Sequence, residues 1–289
     1  MKKISTYILI IACAGIFSCK NSNNANSGTL DPSRIVCVSK QLTELVYALG
    51  QQSHLVGTDL TSVYPPEAKK LPKVGYHRLL NAEGIISLKP TLVIHDGNVA
   101  PQAAMDQLKK VGIPIKEFPE AKTIDDTKKL IHQLGDLFNA GKQADSLCAK
   151  MDKDFAAAAE KRKQYTDTPR VIVVHFGEQS NRYLVVGKGG TSGKIIELAG
   201  GKNAIDIDKG MGPLSAEIIA KAQPDVILAT DVGFDEQGSV ENFKKLPGIA
   251  LTPAGINNCI YRLTEHDIMY FTPETGETVM KVMDLIHKK

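Results

Sequence analysis

The 289-residue chain has no tryptophan and only 6% aromatic residues, too few to build stacking platforms for nucleobases. It also lacks a charge excess of either sign. There are 35 Lys and Arg against 32 Asp and Glu, and removing Lys2 and Lys3 with a leader leaves 33 against 32. Nucleic-acid binding, which normally shows as a strong basic surplus, gets no support. No C-x-x-C pair, G-x-S-x-G elbow or H-E-x-x-H motif occurs, so neither zinc nor serine-nucleophile chemistry has a foothold and an enzyme is not expected. The glycine-rich run Gly187 to Lys194 misses the P-loop pattern, because Lys188 stands where the opening glycine belongs and Ile195 replaces the Ser/Thr. It reads instead as a loop capping a helix from Lys194, with Thr191 or Ser192 as N-cap. Its amides could still receive an anionic group.

What the chain does have is ordinary globular stock, 43% hydrophobic and 23% charged, at a length that suits two modest domains. The first residues stand apart. Lys2 and Lys3 precede an apolar run, Ile4 to Phe17, too short to span a membrane comfortably. The run ends in Ile16-Phe17-Ser18-Cys19, a lipobox-like ending, and an Asn/Ser-rich tether follows at once. We expect residues 1–18 to be a lipoprotein signal peptide, Cys19 to carry the lipid, and residues 19–30 to form the tether. A plain secretory signal is the alternative. Cys37, Cys148 and Cys259 then remain, widely spaced, and read as buried thiols.

Beyond the tether the sequence repeats itself. Ala82-Glu83-Gly84-Ile85-Ile86-Ser87-Leu88-Lys89-Pro90-Thr91-Leu92-Val93-Ile94 matches Ala216-Glu217-Ile218-Ile219-Ala220-Lys221-Ala222-Gln223-Pro224-Asp225-Val226-Ile227-Leu228 without a gap, 134 residues apart (217 − 83 and 224 − 90). Each copy reads as a short amphipathic helix stopped at its proline and followed by a buried strand. Arg34 to Val38 precedes the first copy as Arg170 to Val174 precedes the second. Two similar α/β lobes imply a cleft between them, where small ligands are held.

We place the amino-terminal lobe at residues 31–141, with strands Ile35 to Val38, Thr91 to Ile94 and Ile113 to Phe118. Its helices are Gln41 to Leu49, Ala82 to Leu88 and Ala100 to Val111, an alternation that argues for a parallel sheet covered on both faces. Residues 169–289 are expected to repeat the scheme, ending in a helix from Pro273 onward. Between them, residues 142–168 hold one long helix whose apolar stripe is Ala144, Leu147, Met151, Phe155 and Ala158. A stiff hinge follows from it.

Gly75-Tyr76-His77-Arg78 lies in a loop before the first Ala-Glu helix, at the crevice edge of a parallel lobe. Tyr76 there is either a packed turn residue or a phenolate able to bind ferric iron. Arg78 could stabilise that phenolate and pair with a ligand carboxylate. His77 is another potential ligand, which side-chain alternation aims away from the crevice if the loop is extended. His175 follows the strand Val171 to Val174 at the matching edge of the second lobe. Glu83 and Glu217 start equivalent helices, where a carboxylate suits the helix dipole and where one acid per lobe would also suit a two-fold-related partner.

The stretches Thr43 to Gly50, Val56 to Asp59, Thr61 to Pro65, Val74 to Ile85 and Ser87 to Pro90, with Gly212 to Glu217 and Leu246 to Gly255, resemble the haem-specific substrate-binding proteins of bacterial ABC importers. The resemblance covers nearly the whole mature chain and implies an α/β class III fold, two Rossmann-like lobes joined by a helical backbone. It implies a monomer on the periplasmic side, anchored by lipid, that carries ferric haem to a permease dimer with its ATPase. Tyr76 would be the axial iron ligand and Arg78 its electrostatic neighbour. His175 would bind iron from the opposite side, Lys40 would reach a propionate or narrow the cleft, and Glu83 and Glu217 would dock on permease arginines. Two departures stand out: Phe176-Gly177-Glu178-Gln179 replaces the glycine-rich run usual after the histidine, and Phe271-Thr272-Pro273-Glu274 lacks the expected Gly-Pro-Arg finish. The alternatives are a ferric siderophore or cobalamin in the same cleft, and, in a different class, a periplasmic enzyme on the same scaffold.

Overall fold

The computed structural model of the protein describes residues 30–177, 181–208 and 210–288. The expected signal peptide and Cys19 lie outside them. The first lobe runs β1 (Ile35–Val38), α1 (Lys40–Ala48), β2 (Leu55–Thr58), α2 (Ala82–Ser87), β3 (Leu92–His95), α3 (Gln102–Lys110), β4 (Ile115–Glu117) and α4 (Ile124–Leu137). Its sheet has the order β2-β1-β3-β4 and is parallel throughout. A parallel sheet must be covered on both faces, and β1 shows how the sequence meets that need. Ile35 and Cys37 enter the core beneath α1 and α4, while Val36 and Val38 enter the core beneath α2 and α3, the alternation of a strand buried on both sides. Ser39 caps α1 by accepting from the Leu42 amide, which contributes about 1 kcal/mol. Burial pushes the Cys37 thiol up, so it packs as a small apolar group.

One helix, α5 (Gly141–Arg162), joins the lobes over 22 residues, about 33 Å at the usual rise. Ala144, Cys148 and Met151 belong to the first lobe's core and Ala158 to the second's, and Phe155 packs against both. The connection is thus part of each core, which opposes independent swinging of the lobes.

The second lobe runs β5 (Arg170–Gly177), β6 (Arg182–Val186), α6 (Thr191–Leu198), β7 (Lys202–Asn203), β8 (Met211–Pro213), α7 (Ala216–Ala222), β9 (Val226–Thr230), α8 (Asp231–Gln237), α9 (Val240–Phe243), α10 (Pro253–Ile256), β10 (Ile260–Leu263), α11 (Glu265–Met269) and α12 (Thr275–Ile286). It does not copy the first lobe's sheet. The order is β10-β9-β5-β6-β8, and β6 runs antiparallel to both β5 and β8. The strand expected to stop at Val174 continues to Gly177 and pairs with β6, so His175 sits inside a ladder opposite Leu184. Cys259 is only partly buried, unlike Cys37 and Cys148.

The repeat persists at the level of single bonds. Thr91 Oγ1 accepts the Arg34 amide at 3.0 Å, and Asp225, its counterpart, accepts the Arg170 amide at 2.8 Å. Both Ala-Glu helices end in a non-glycine residue of positive φ directly before the proline, Lys89 at 49° and Gln223 at 41°. That conformation costs an L-residue roughly 1–2 kcal/mol, so the same strained exit is held twice.

The glycine-rich loop differs from expectation. α6 begins at Thr191 with Gly190 at the N-cap and no side-chain cap, and Ser192 Oγ instead donates to the Ile268 carbonyl at 2.8 Å. Gly193 is there for space, since a Cβ would fall 1.9 Å from the Lys188 carbonyl oxygen. Gly193→Ala should therefore lower unfolding stability by about 1–3 kcal/mol, read as a shifted urea midpoint at unchanged slope. An unshifted midpoint would show that the loop yields freely.

Candidate functional site

Tyr76 sits in the long connection from β2 to α2. That connection is pinned by Lys73, whose Nζ donates to Thr58 Oγ1 and the Ser62 carbonyl at 2.7 Å and to the Ala68 carbonyl at 3.0 Å. Burial holds the Lys73 ammonium below its usual range, against the pull of Asp59. Asp59 is itself wholly buried. It accepts the Thr61 amide at 3.0 Å and the Ser62 hydroxyl at 2.5 Å, with the Thr61 hydroxyl on the same oxygen as the amide. Gly75, at φ 104°, turns the chain in a way a side chain would resist. His77 places Nδ1 3.4 Å from the buried Asp59 Oδ2 and its ring 4.4 Å from the Tyr76 ring.

Tyr76 is half-buried, and no hydrogen-bond partner for its hydroxyl is found among the described residues. Leu60, Val63 and Leu79, all exposed apolar residues, belong to the same connection, and the Leu60 amide donates to the Gly75 carbonyl at 2.9 Å. The same connection therefore carries an unpartnered phenol and three uncovered apolar side chains. Arg78 is exposed and its Nε donates to Asn98 Oδ1 at 3.2 Å, a bond to the loop after β3.

On the opposite lobe His175 is half-buried, with Nδ1 3.3 Å from Thr230 Oγ1 at the end of β9. Next to it Phe176 packs on Tyr183, ring centroids 5.0 Å apart, and the Tyr183 hydroxyl donates to the Gly233 carbonyl at 2.8 Å. Burial keeps the Tyr183 phenol above its ordinary range.

Between the lobes runs a seam that the sequence did not announce. Lys40 Nζ is 3.0 Å from Glu265 Oε1 and 4.5 Å over the Tyr270 ring. Burial opposes the Lys40 charge, but Tyr270 and Glu265 outweigh it and hold the ammonium above its usual range. Gln41 Nε2 donates to the Phe271 carbonyl at 3.1 Å, and its Oε1 accepts the Ala121 amide at 3.0 Å. Glu44 and His266 approach to 3.2 Å outside hydrogen-bond geometry, leaving Glu44 Oε1 unbonded. Tyr64 stacks on His266 at 3.6 Å between centroids. Lys40 thus spans the lobes through a carboxylate of the chain itself.

Glu83 and Glu217 occupy the second position of α2 and α7, both exposed, behind the N-caps Asn81 and Ser215. Arg262 makes a two-pronged ion pair with Asp235 at 2.7 and 2.8 Å. Among the described residues no cluster of three His, Cys, Asp or Glu is arranged to hold a bare metal ion, and no helix is long and apolar enough to cross a membrane.

Two α/β lobes tied by one helix, with facing strand ends across a seam, define a class III substrate-binding fold. Residues 35–266 match the periplasmic binding protein family, and the chain belongs to it, among substrate-binding transport proteins rather than enzymes and outside the cytoplasm. The chain is similar to the periplasmic heme-binding protein RhuT from Roseiflexus sp. RS-1 in apo form (32% identity, TM-score 0.79, covering 88% of this chain and 98% of that one). It is 32% identical over 204 residues to the uncharacterized ABC transporter substrate-binding lipoprotein YvrC of Bacillus subtilis strain 168, covering 70% of this chain and 64% of that relative's length. It is 30% identical over 203 residues to the vitamin B12-binding protein of Pectobacterium atrosepticum, covering 68% and 71%.

Proposed function

We propose that this protein is the lipid-anchored binding component of an ABC importer and that it captures ferric haem between its lobes, with Tyr76 as the iron ligand. The observation that carries this reading is the Tyr76 hydroxyl, unpartnered among the described residues, on a connection that also carries exposed Leu60, Val63 and Leu79. A porphyrin needs one axial donor at the iron and apolar cover for its faces, and this loop has both. A phenolate is a hard anionic donor and prefers Fe(III). His175 is the candidate donor from the other lobe, and Arg78 is long enough to leave Asn98 for a propionate carboxylate. Lys40 could do the same only by giving up Glu265. Cys19 would carry the acyl chains that hold the protein at the membrane.

Cobalamin is the second reading, favoured by the name of the Pectobacterium relative. A hemin titration followed by absorption separates the two. Haem capture predicts a saturable one-to-one change with high-spin ferric bands and phenolate-to-iron charge transfer. An unaltered free-hemin spectrum at saturating protein, with tight cyanocobalamin binding in parallel, would replace haem by a corrinoid.

Docking is assigned to Glu83 and Glu217. Their equivalent positions on α2 and α7 fit a partner whose two halves are related by a two-fold axis. Replacing both by Ala should leave the hemin spectrum intact while cutting uptake in permease-containing vesicles by about tenfold or more. Unimpaired uptake would return both carboxylates to the role of helix-start charges.

A further inference from the structure

A cavity of ≈ 890 Å³ lies against the inner face of α5, and nothing in the haem reading uses it. Its walls come from the start of α4 in the first lobe, from α5, and from the Lys188–Gly190 loop and α6 in the second. Neither Tyr76, His175 nor Arg78 reaches it. Gln41, almost fully buried, is bonded to both lobes through Ala121 and Phe271, and Phe271 is both seam and cavity wall. The space is therefore an inter-lobe pocket whose lining is separate from the Tyr76 loop.

Its chemistry is two-sided. Phe155, Ala158, Leu198, Phe271 and Val279 make an apolar floor, in a volume typical of small-molecule sites. Five cations stand around it, and three of them already have carboxylates: Lys128 with Asp152, Lys188 with Asp206 and Asp208, and Lys194 with Glu197. Lys122 and Arg162 have no carboxylate partner among the described residues; Arg162 Nη1 donates to the Tyr165 carbonyl. The remaining acid on the rim, Asp125, sits in the first turn of α4, where the helix dipole answers its charge. An apolar floor with two uncompensated cations complements an apolar body carrying one negative head.

We infer that this pocket is a binding site for an amphipathic organic anion, its apolar body on the Phe155 floor and its carboxylate at Lys122. Because the walls belong to both lobes, occupancy ties the lobes to α5 independently of what the cleft holds.

Calorimetric titration of the purified protein with decanoate, kept below its micelle-forming concentration, tests this directly. Saturable one-to-one binding is expected, with decyltrimethylammonium at least about tenfold weaker. Lys122→Glu, which changes only an exposed side chain, should weaken decanoate by about tenfold and leave the hemin titration unchanged. The inference is overturned by an absence of saturable heat, by equal binding of the cationic probe, by an unaffected Lys122→Glu, or by displacement of decanoate with one equivalent of hemin. The last result would put the probe in the Tyr76 cleft. A protein that ignores hemin yet binds decanoate as described removes the haem reading and leaves this one standing.

Discussion

Tyr76→Phe is expected to remove the high-spin ferric signature and to weaken hemin binding by about 10²-fold or more, close to 3 kcal/mol. The substitution keeps the ring that packs on His77 and removes only the oxygen. Residual binding should survive, because the apolar faces of the porphyrin still find Leu60, Val63 and Leu79, and its spectrum should resemble free hemin. Tyr76→His is the informative companion: an imidazole at the same place should restore affinity with bands moved to those of a nitrogen-ligated iron. His175→Ala should cost less than Tyr76→Phe, since the first lobe alone then supplies the bond. If His175→Ala abolishes the signature and Tyr76→Phe leaves it intact, iron is held from the second lobe. If His77→Ala alone abolishes it, the Asp59-backed imidazole is the donor, in the manner of a carboxylate-oriented metal ligand.

Local chemistry explains which parts of this molecule could be read from its sequence. The β1 strand and the two Ala-Glu helices announce themselves by period and by proline, and the structure has them within one or two residues, whereas the connecting helix, expected over residues 142–168, stops at Arg162. The antiparallel β6 was missed although Tyr183-Leu184-Val185-Val186 has strand composition. The repeat suggested a parallel copy of the first lobe, and tertiary pairing decided otherwise. The seam is a different case. Lys40 meets Glu265 across 225 positions and Gln41 meets Phe271 across 230, and no periodicity encodes pairs so far apart. Glu44 is likewise buried against His266 of the second lobe, 222 positions away (266 − 44). The loop position of Tyr76, by contrast, was legible, because Gly-Tyr shortly before a helix implies a turn.

That buried carboxylate yields the other large effect. Burial pushes Glu44 up to about 7 from its ordinary 4.5, with His266 opposing and Glu274 and Asp267 adding to the rise. A carboxyl whose pKa is raised by folding binds its proton more tightly in the folded state, so its contribution is complete below about 4.5 and lost as pH climbs through about 7. Most carboxylates in ion pairs work in the reverse sense, and the wild-type curve sums all of them. The difference between wild type and Glu44→Gln isolates this one. Glutamine keeps the shape of the neutral acid, so the variant should match wild type near pH 5 and exceed its unfolding free energy by about 2 kcal/mol at pH 8. Urea denaturation at pH 5, 6, 7 and 8 measures it. The rise should fall mostly between pH 5 and 7.5, the window the raised value defines. His266 on the facing lobe supplies the control: in His266→Gln the imidazole that opposes the rise is gone, and the Glu44-dependent difference should grow. Parallel curves for wild type and Glu44→Gln at all four pH values would mean that solvent reaches this carboxylate and that the seam between the lobes is open in solution.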